Sequence, residues 1–236
     1  MANDKPRSLW LRKEQAGRGP VPTHDRAEIA AAGIELADVG GLEAVSMRKV
    51  AAAIGAGAAS LYRYVETRDE LLELMSDTVS GQLDLSAPST GDWRADILAL
   101  AHEMRRVYRL HPWMLDVSPG VAALGPNAVN YLEHALKILQ DVPAPARVKM
   151  EIIAMINSLV GGFVRTELAV GTSTSAWAQG QAEFLGTVVR AGQHPRLAAT
   201  MQNLTRTPTD PDTPDGPDDL LDRVLPRVIT GLFAAE

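Results

Sequence analysis

The stretch from residue 46 to residue 74, SMRKVAAAIGAGAASLYRYVETRDELLEL, constrains the fold of this chain more than any other. Ser46 is a good N-cap, and apolar residues recur after it at helical spacing: Met47, Val50, Ala51 and Ile54. Gly55-Ala56-Gly57 predicts a turn. A second short helix is predicted from Ala58 to about Tyr64, with Leu61 and Val65 pointing inward. Two short helices joined by a glycine-bounded turn are typical of a helix-turn-helix that reads DNA.

Helices are predicted on both sides of this motif, and each has the spacing of a capping box at its start: Asp25 with Glu28, and Thr67 with Glu70. The earlier helix is expected to run from near Asp25, with Thr23 as the alternative cap, to Gly40-Gly41. Residues 1–22 contain proline, glycine and mixed charge without periodicity, so we predict a flexible basic arm. Such an arm can follow phosphates or enter a minor groove, but a disordered leader has the same composition.

The net charge of −6 argues against a DNA-binding protein until its distribution is considered. Residues 205–222 carry six aspartates against one arginine, whereas residues 1–26 carry six basic side chains against three acidic ones. The local field matters more than the sum, and the positive charge lies near the helix-turn-helix. We expect an acidic loop at residues 205–217 and no metal there, because the spacing does not match a calcium loop.

Composition also limits the cellular setting. The chain contains no cysteine, which excludes disulfides and thiolate metal sites and agrees with a cytoplasmic protein. The N-terminus lacks the apolar run of a signal peptide, and the most apolar segment, residues 152–164, is interrupted by polar residues and too short for a membrane span.

The pattern IELADVGGLEAVSMRKVAAAIGAGAASLYRYVETRDELLELM, within residues 25–83, resembles the DNA-binding domain of the TetR family of transcriptional repressors. The rest of the chain is similar in length and helix pattern to the tetracycline-repressor-type C-terminal domain. The resemblance implies an all-α fold, in which an N-terminal three-helix helix-turn-helix DNA-binding domain precedes a larger helical ligand-binding and dimerisation domain. We predict these domains at residues 23–83 and 84–236, after the arm at residues 1–22.

The helix predicted from Ala58 to about Tyr64 is the recognition helix. DNA contacts are expected along it and at the starts of the first, second and fourth helices: Arg26, Ser46, Met47, Arg48, Lys49, Ala58, Ala59, Ser60, Tyr62, Arg63, Tyr64 and Arg68. Arg63 is the best candidate for reading a base, since arginine binds guanine bidentately, and the alternative is a solvated surface arginine. Tyr62 and Tyr64 either bind phosphates or pack on the fourth helix, which is predicted to begin after Thr67. Arg68 is a cation at a helix start, which is unfavourable unless a phosphate lies there.

Further helices are predicted from Asp92 to His111-Pro112, from Pro126 to Leu139, from the boundary at Pro143 and Pro145 to about Leu168, from Ser173 or Ser175 to Arg190, and over residues 218–233. A short segment at residues 194–203 precedes the acidic loop. In the resembling family, the last helix and the long helix around residues 152–164 form a four-helix dimer core with the partner. The residues expected in that interface are Ile153, Val160, Gly161, Val164, Val224, Val228 and Leu232.

Ten residues are candidates for lining a ligand cavity in this domain: Met104, Tyr108, Trp113, Tyr131, His134, Met155, Asn157, Phe163, Trp177 and Phe184. Aromatic and methionine residues at helical spacing are more often plain core. His134 and Asn157 are the polar exceptions, and a buried Asn157 needs a hydrogen-bond partner, which a ligand, a backbone carbonyl or the other subunit can supply.

An enzyme is the competing class of function. His102-Glu103 begins like a zinc-protease helix, but Arg106 stands where the second histidine is required, and neither a Gly-x-Ser-x-Gly motif nor a phosphate loop is present. A helical dimer that has lost operator binding would not need the basic Arg48, Arg63 and Arg68. We therefore predict a cytoplasmic, non-enzymatic repressor that binds palindromic double-stranded operator DNA as a homodimer. A small-molecule effector releases it, and no cofactor or membrane is involved.

Overall fold

The computed structural model describes residues 8–12, 24–118, 124–171, 176–206 and 220–233. Within these ranges the regular structure is helical, which confirms the predicted all-α fold. The α-helices are α1 Arg26–Gly40, α2 Met47–Ala53, α3 Ala58–Leu61, α4 Arg68–Ser80, α5 Trp93–Leu110, α6 Pro126–Ile138, α7 Ala146–Gly171, α8 Ala176–Arg190, α9 Pro195–Arg206 and α10 Leu220–Phe233. Short 3-10 turns lie at Leu9–Leu11, Leu42–Ala44 and Pro112–Asp116.

The predicted caps are confirmed at three helix starts. Asp25 accepts the Glu28 N–H at 2.8 Å, Ser46 accepts the Lys49 N–H at 3.3 Å, and Thr67 accepts the Glu70 N–H at 3.1 Å. The recognition helix α3 is shorter than predicted. Its last residues continue as a tighter turn, because the Arg63 and Tyr64 N–H groups bond to carbonyls only three residues back.

The helices form two hydrophobic cores. Helices α1 to α4, called the head here, enclose the first, in which Ile29, Val50, Leu61 and Met75 are almost fully buried. Gly33 in α1 lets α4 approach closely, since a Cβ there would lie 2.7 Å from the Met75 sulfur. The remaining helices form the body, whose core lies between α5, α6, α7 and α10.

Part of the predicted flexible arm is packed against the head, so the prediction of a free arm is wrong for residues 8–12. Leu9 is fully buried in the core of the head. Arg12 forms ion pairs with Glu70 and, at 2.7 Å, with Glu66. The sequence pattern missed this strap, residues 8–12, because one leucine and one arginine show no periodicity. Residues 1–7 and 13–23 lie outside the described ranges, as does the predicted acidic loop from residue 207 onward.

Helix α7 is longer than the apolar segment that the sequence suggested. By length and composition alone, its Ala146–Ala169 part is long enough and apolar enough to cross a membrane, so the prediction that this segment is too short is wrong. Its buried residues Ile152, Ile156 and Val160 nevertheless pack in the core of the body, where α7 contacts α5 and α10.

We expect Leu9→Ala to lower the free energy of unfolding by about 2–5 kcal/mol, as is usual for removing a buried leucine. Leu11→Ala is the matched control, because Leu11 is 72% exposed in the same turn, and it should change stability by less than about 0.5 kcal/mol. Urea denaturation followed by circular dichroism measures both. Equal stability of the two variants would mean that the strap is not part of the core.

Candidate DNA-binding surface and ligand cavity

A tight turn sets the angle between α2 and α3. The Ala56 N–H bonds to the Ala51 carbonyl at 2.8 Å, and the Gly55 N–H bonds to the Ala52 carbonyl at 3.1 Å, which is a Schellman motif. Gly55 adopts a φ of 69°, a left-handed conformation that favours glycine. Leu61 and Val65 then anchor the recognition helix in the core of the head, as predicted.

The predicted DNA-contacting residues differ in how far they reach from the surface. The exposed ones are Arg48, Lys49, Ala59, Tyr62, Arg63 and Arg68, while Arg26, Ser46, Met47, Ala58, Ser60 and Tyr64 are half-buried. The Ser60 hydroxyl donates to the Gly57 carbonyl at 2.6 Å, so it is left as an acceptor for DNA. Tyr64 is half-buried and packs against the core of the head.

The structure gives Arg68 partners inside the chain. Its Nη2 donates to the Leu42 carbonyl at 2.9 Å, and its Nε donates to the Val45 carbonyl at 3.4 Å. The guanidinium therefore joins the start of α4 to the loop before α2. A phosphate is not needed to explain a cation at this helix start, which corrects the reasoning from the helix dipole.

A cavity of about 200 Å³ lies where α4 of the head meets α5, α6 and α7 of the body. Four of the ten predicted ligand residues border it: Met104, Tyr108, Tyr131 and Asn157. The other residues that border it are Ser76, Asp77, Ser80, Leu83, Val107, Met114, Leu124, Ala128 and Leu132.

Five other predicted ligand residues lie elsewhere, because helical spacing does not reveal which neighbour covers a face. Trp113 is buried in the core of the head, and His134 borders a separate cavity of about 660 Å³ beside residues 84–90. Met155 and Phe184 are exposed, and Phe163 packs at the edge of the core of the body. The side chain of Trp177 lies outside the described residues.

The contribution of α4 to the cavity was not predicted from the sequence. Ser76, Asp77 and Ser80 lie on a helix that was assigned wholly to the DNA-binding domain. The sequence did contain an indication, because Ser76 and Asp77 interrupt the apolar stripe of α4. In the structure these residues are 6% and 4% exposed. Buried polar groups of this kind require partners and therefore point to a contact or a site.

The partner of Asp77 is the start of α6. The Asp77 carboxylate accepts the N–H groups of Asn127 and Ala128 at 3.3 and 3.0 Å, and the Asn127 side-chain amide at 3.1 Å. These bonds satisfy free N–H groups of α6 and place a negative charge at its positive end. A Cβ at Gly125 would lie 2.4 Å from the Asp77 Cγ and 2.6 Å from the Trp10 ring, so only glycine permits this contact.

A second polar cluster joins the head to the body. Asp38 of α1 accepts a hydrogen bond from the Trp113 indole at 2.7 Å and lies 2.8 Å from the Nδ1 of His111. The other ring nitrogen of His111 lies 3.0 Å from the Gln82 side chain. His111 and Trp113 are buried, so the position of α1 is fixed to the end of α5.

The polar groups of the cavity are uncharged on the side of the body. The Tyr131 hydroxyl donates to the Asn157 side-chain oxygen. Burial raises the pKa of Tyr131 and of Tyr108, so both phenols stay protonated at neutral pH. Among the described residues, no lysine, arginine or histidine borders this cavity.

Comparison with known proteins agrees with this two-part structure. The family model described as bacterial regulatory proteins of the tetR family matches residues 29–75. The model described as the tetracyclin repressor-like C-terminal domain matches residues 85–234, more than half of the chain. The chain belongs to the TetR family.

Curated relatives of this TetR-family protein are transcriptional regulators. It is 34% identical over 203 residues to the HTH-type transcriptional repressor DrrR1 of Streptomyces coeruleorubidus, covering 83% of this chain and 75% of that one. It is 40% identical over 163 residues to an HTH-type transcriptional regulator of Saccharopolyspora erythraea, covering 69% and 68% of the two chains.

Solved structures share the fold at lower identity. Apo ActR from Streptomyces coelicolor superposes with a TM-score of 0.72 at 22% identity, over 91% of this chain and 97% of that one. ActR in complex with actinorhodin gives a TM-score of 0.70 at 22% identity, over 90% and 96% of the two chains.

The dimer interface predicted for this TetR-family protein needs correction. Ile153, Val160 and Val164 are at most 2% exposed within one chain, so they have no surface left to contribute to a partner. The long helix turns these residues toward its own domain. Val224, Val228 and Gly161 are half-buried, and the side chain of Leu232 lies outside the described residues.

We expect Arg68→Ala to lower the free energy of unfolding by about 1–2 kcal/mol, because it removes two hydrogen bonds from a charged group to backbone carbonyls. Arg63→Ala is the matched control, since Arg63 is exposed nearby, and it should change stability by less than about 0.5 kcal/mol. Thermal denaturation of the two variants makes the comparison. An unchanged midpoint in Arg68→Ala would leave phosphate binding as the better role for this residue.

Proposed function

We propose that this protein is a ligand-responsive repressor that binds a palindromic operator as a homodimer and leaves it when a small molecule occupies the cavity. The observation that carries this proposal is the double role of α4. This helix packs on α1 in the head, and its Ser76, Asp77 and Ser80 border the cavity. A ligand therefore touches the DNA-binding head directly. We retain residues 23–83 and 84–236 as the proposed domains.

The head supplies the surface for DNA. Arg48 and Lys49 are exposed in the first turn of α2, where they can neutralise phosphates, and Tyr62 and Arg63 are exposed at the end of the recognition helix. Arg63 is the proposed base reader and Ser60 an acceptor beside it. Two heads related by a twofold axis would read half-sites about 34–36 Å apart, or a multiple of that distance. Affinity should fall steeply with salt, because phosphate contacts release counterions.

The exposed faces of α7 and α10 supply the proposed dimer interface. Ala154, Ser158 and Gly162 form an exposed row of small residues on α7, and Thr230 and Gly231 are exposed on α10. Small residues let helices approach closely, so these faces suit a four-helix contact between two copies. This interface replaces the buried valines and isoleucine of the sequence prediction.

The relatives support the regulatory role. DrrR1 is a repressor by name, and ActR has been crystallised with actinorhodin and with (S)-DNPA. We extend repression and small-molecule control from these proteins to this chain, together with a cytoplasmic location and the lack of a catalytic role. Coupling between ligand and operator is typically about 1–3 kcal/mol and is reciprocal, so operator DNA should weaken ligand binding by the same factor.

We expect Arg63→Ala to lose discrimination at one base pair of each half-site, by about 1–3 kcal/mol, because a guanine contact is removed. Selection of bound fragments from genomic DNA, followed by sequencing, measures the preference of both proteins. Arg147→Ala is the control, since Arg147 is a highly exposed arginine on α7, outside the head. An unchanged preference in Arg63→Ala would refute base reading, and the absence of any enriched palindrome with the wild-type protein would refute the repressor itself.

We expect Gly162→Glu to give a monomer at micromolar concentration. A Cβ at Gly162 meets nothing within 4 Å in its own chain, so the substitution strains only a contact with another copy. Gly180→Glu on α8 is the matched control, because its Cβ is equally free, and it should remain dimeric. Sedimentation velocity separates the two outcomes. A dimeric Gly162→Glu would place the interface elsewhere.

A further inference from the structure

The Ser76 hydroxyl lies at the edge of the cavity and lacks a hydrogen-bond partner among the described residues. The residue is 6% exposed, and among the described residues its hydroxyl has no hydrogen-bond partner. A buried hydroxyl without a partner destabilises the fold, whereas most buried polar groups in proteins are paired. Such a group therefore requires an explanation.

The other hydroxyls of α4 show how a helix ordinarily meets this need. Thr78 donates to the Leu74 carbonyl at 2.8 Å, and Ser80 donates to the Ser76 carbonyl at 2.9 Å, each four residues back. Ser76 does not use that route. Its χ1 has three staggered positions, and the side chain borders the cavity, so a molecule in the cavity is an available partner.

The rest of the cavity restricts the chemistry of that molecule. Its walls are mostly apolar, from Met104, Val107 and Leu132, and the two phenols opposite are protonated at neutral pH. Of the described residues that border the cavity, Asp77 alone has an ionisable carboxyl, and none is a lysine, arginine or histidine. Its two oxygens already accept three hydrogen bonds from the start of α6, so a ligand cation would have to compete with them.

We propose that Ser76 is the contact through which the head binds the effector, and that the effector is an uncharged, largely apolar molecule with a hydrogen-bonding group at one end. This inference rests on the proposed function and names the ligand class of the same site. The cavity of about 200 Å³ is larger than the roughly 150 Å³ that holds benzene in an engineered apolar cavity, so one or two rings fit.

Four naphthalene derivatives test the proposal by equilibrium dialysis at pH 7: 2-naphthol, naphthalene, 2-naphthoate and 2-naphthylmethylammonium. The wild-type protein should bind 2-naphthol about three- to tenfold more tightly than naphthalene, the effect of one added hydrogen bond. Both ions should bind more weakly than 2-naphthol, because a charge would lose its water without gaining a partner.

Ser76→Ala should abolish the preference for 2-naphthol over naphthalene without loss of naphthalene binding. Ser76→Cys should leave a reduced preference, since sulfur hydrogen-bonds weakly, and it serves as a second variant if the first folds poorly. Thr78→Val is the matched control. It removes a hydroxyl from the same helix that is bonded within α4 and does not border the cavity, so the preference should persist.

A preference retained in Ser76→Ala, or lost equally in Thr78→Val, would overturn the role of Ser76. Tighter binding of either ion than of 2-naphthol would overturn the ligand class. If none of the four compounds binds, the proposed ligand class is overturned. The selection of genomic fragments is independent of these results, so an enriched palindrome combined with failed dialysis would remove this inference alone.

Discussion

The contact between Asp77 and the start of α6 is the interaction on which the relation of head to body depends. The carboxylate belongs to the last helix of the head, and the N–H groups that it accepts belong to the body. Neither group has another described partner that could replace this one; Asp77 is buried, and Asn127 and Ala128 are half-buried. Separating them would leave a buried charge and open helix donors, which is strongly unfavourable. The orientation of α4 is therefore tied to the orientation of α6.

Two further contacts fix the orientation of the head on the body. His111 and Trp113 at the end of α5 hold Asp38 of α1, and the strap places Leu9 in the core of the head with Trp10 beside Gly125. The head is thus attached to the body at α1, at α4 and through the strap, around the cavity rather than far from it. A ligand that displaces the part of α4 bordering the cavity must strain one of these contacts or rotate the head. Rotation of the head would change the distance between the two recognition helices of a dimer.

The sequence predicted the local features and missed several packing contacts. Capping boxes and the glycine turn act over a few residues, so the starts of α1, α2 and α4 and the turn at Gly55 were readable. Leu9 and the inward turn of Val160 were not, because each depends on which distant element covers a side chain. The backbone partners of Arg68 were missed for the same reason, since the carbonyls that bind it lie more than 20 residues earlier in the chain.

Hydrogen exchange at the first turn of α6 tests this coupling most directly. The Asn127 and Ala128 amides lie on the body, but Asp77 of the head accepts both. If α4 and α6 move together, a selected operator fragment should slow exchange at these two amides as well as in the head, whereas exchange on the exposed α8 should not change. Protection of the head with unchanged exchange at Asn127 and Ala128 would contradict the claim that the DNA-binding head and the cavity are coupled through α4.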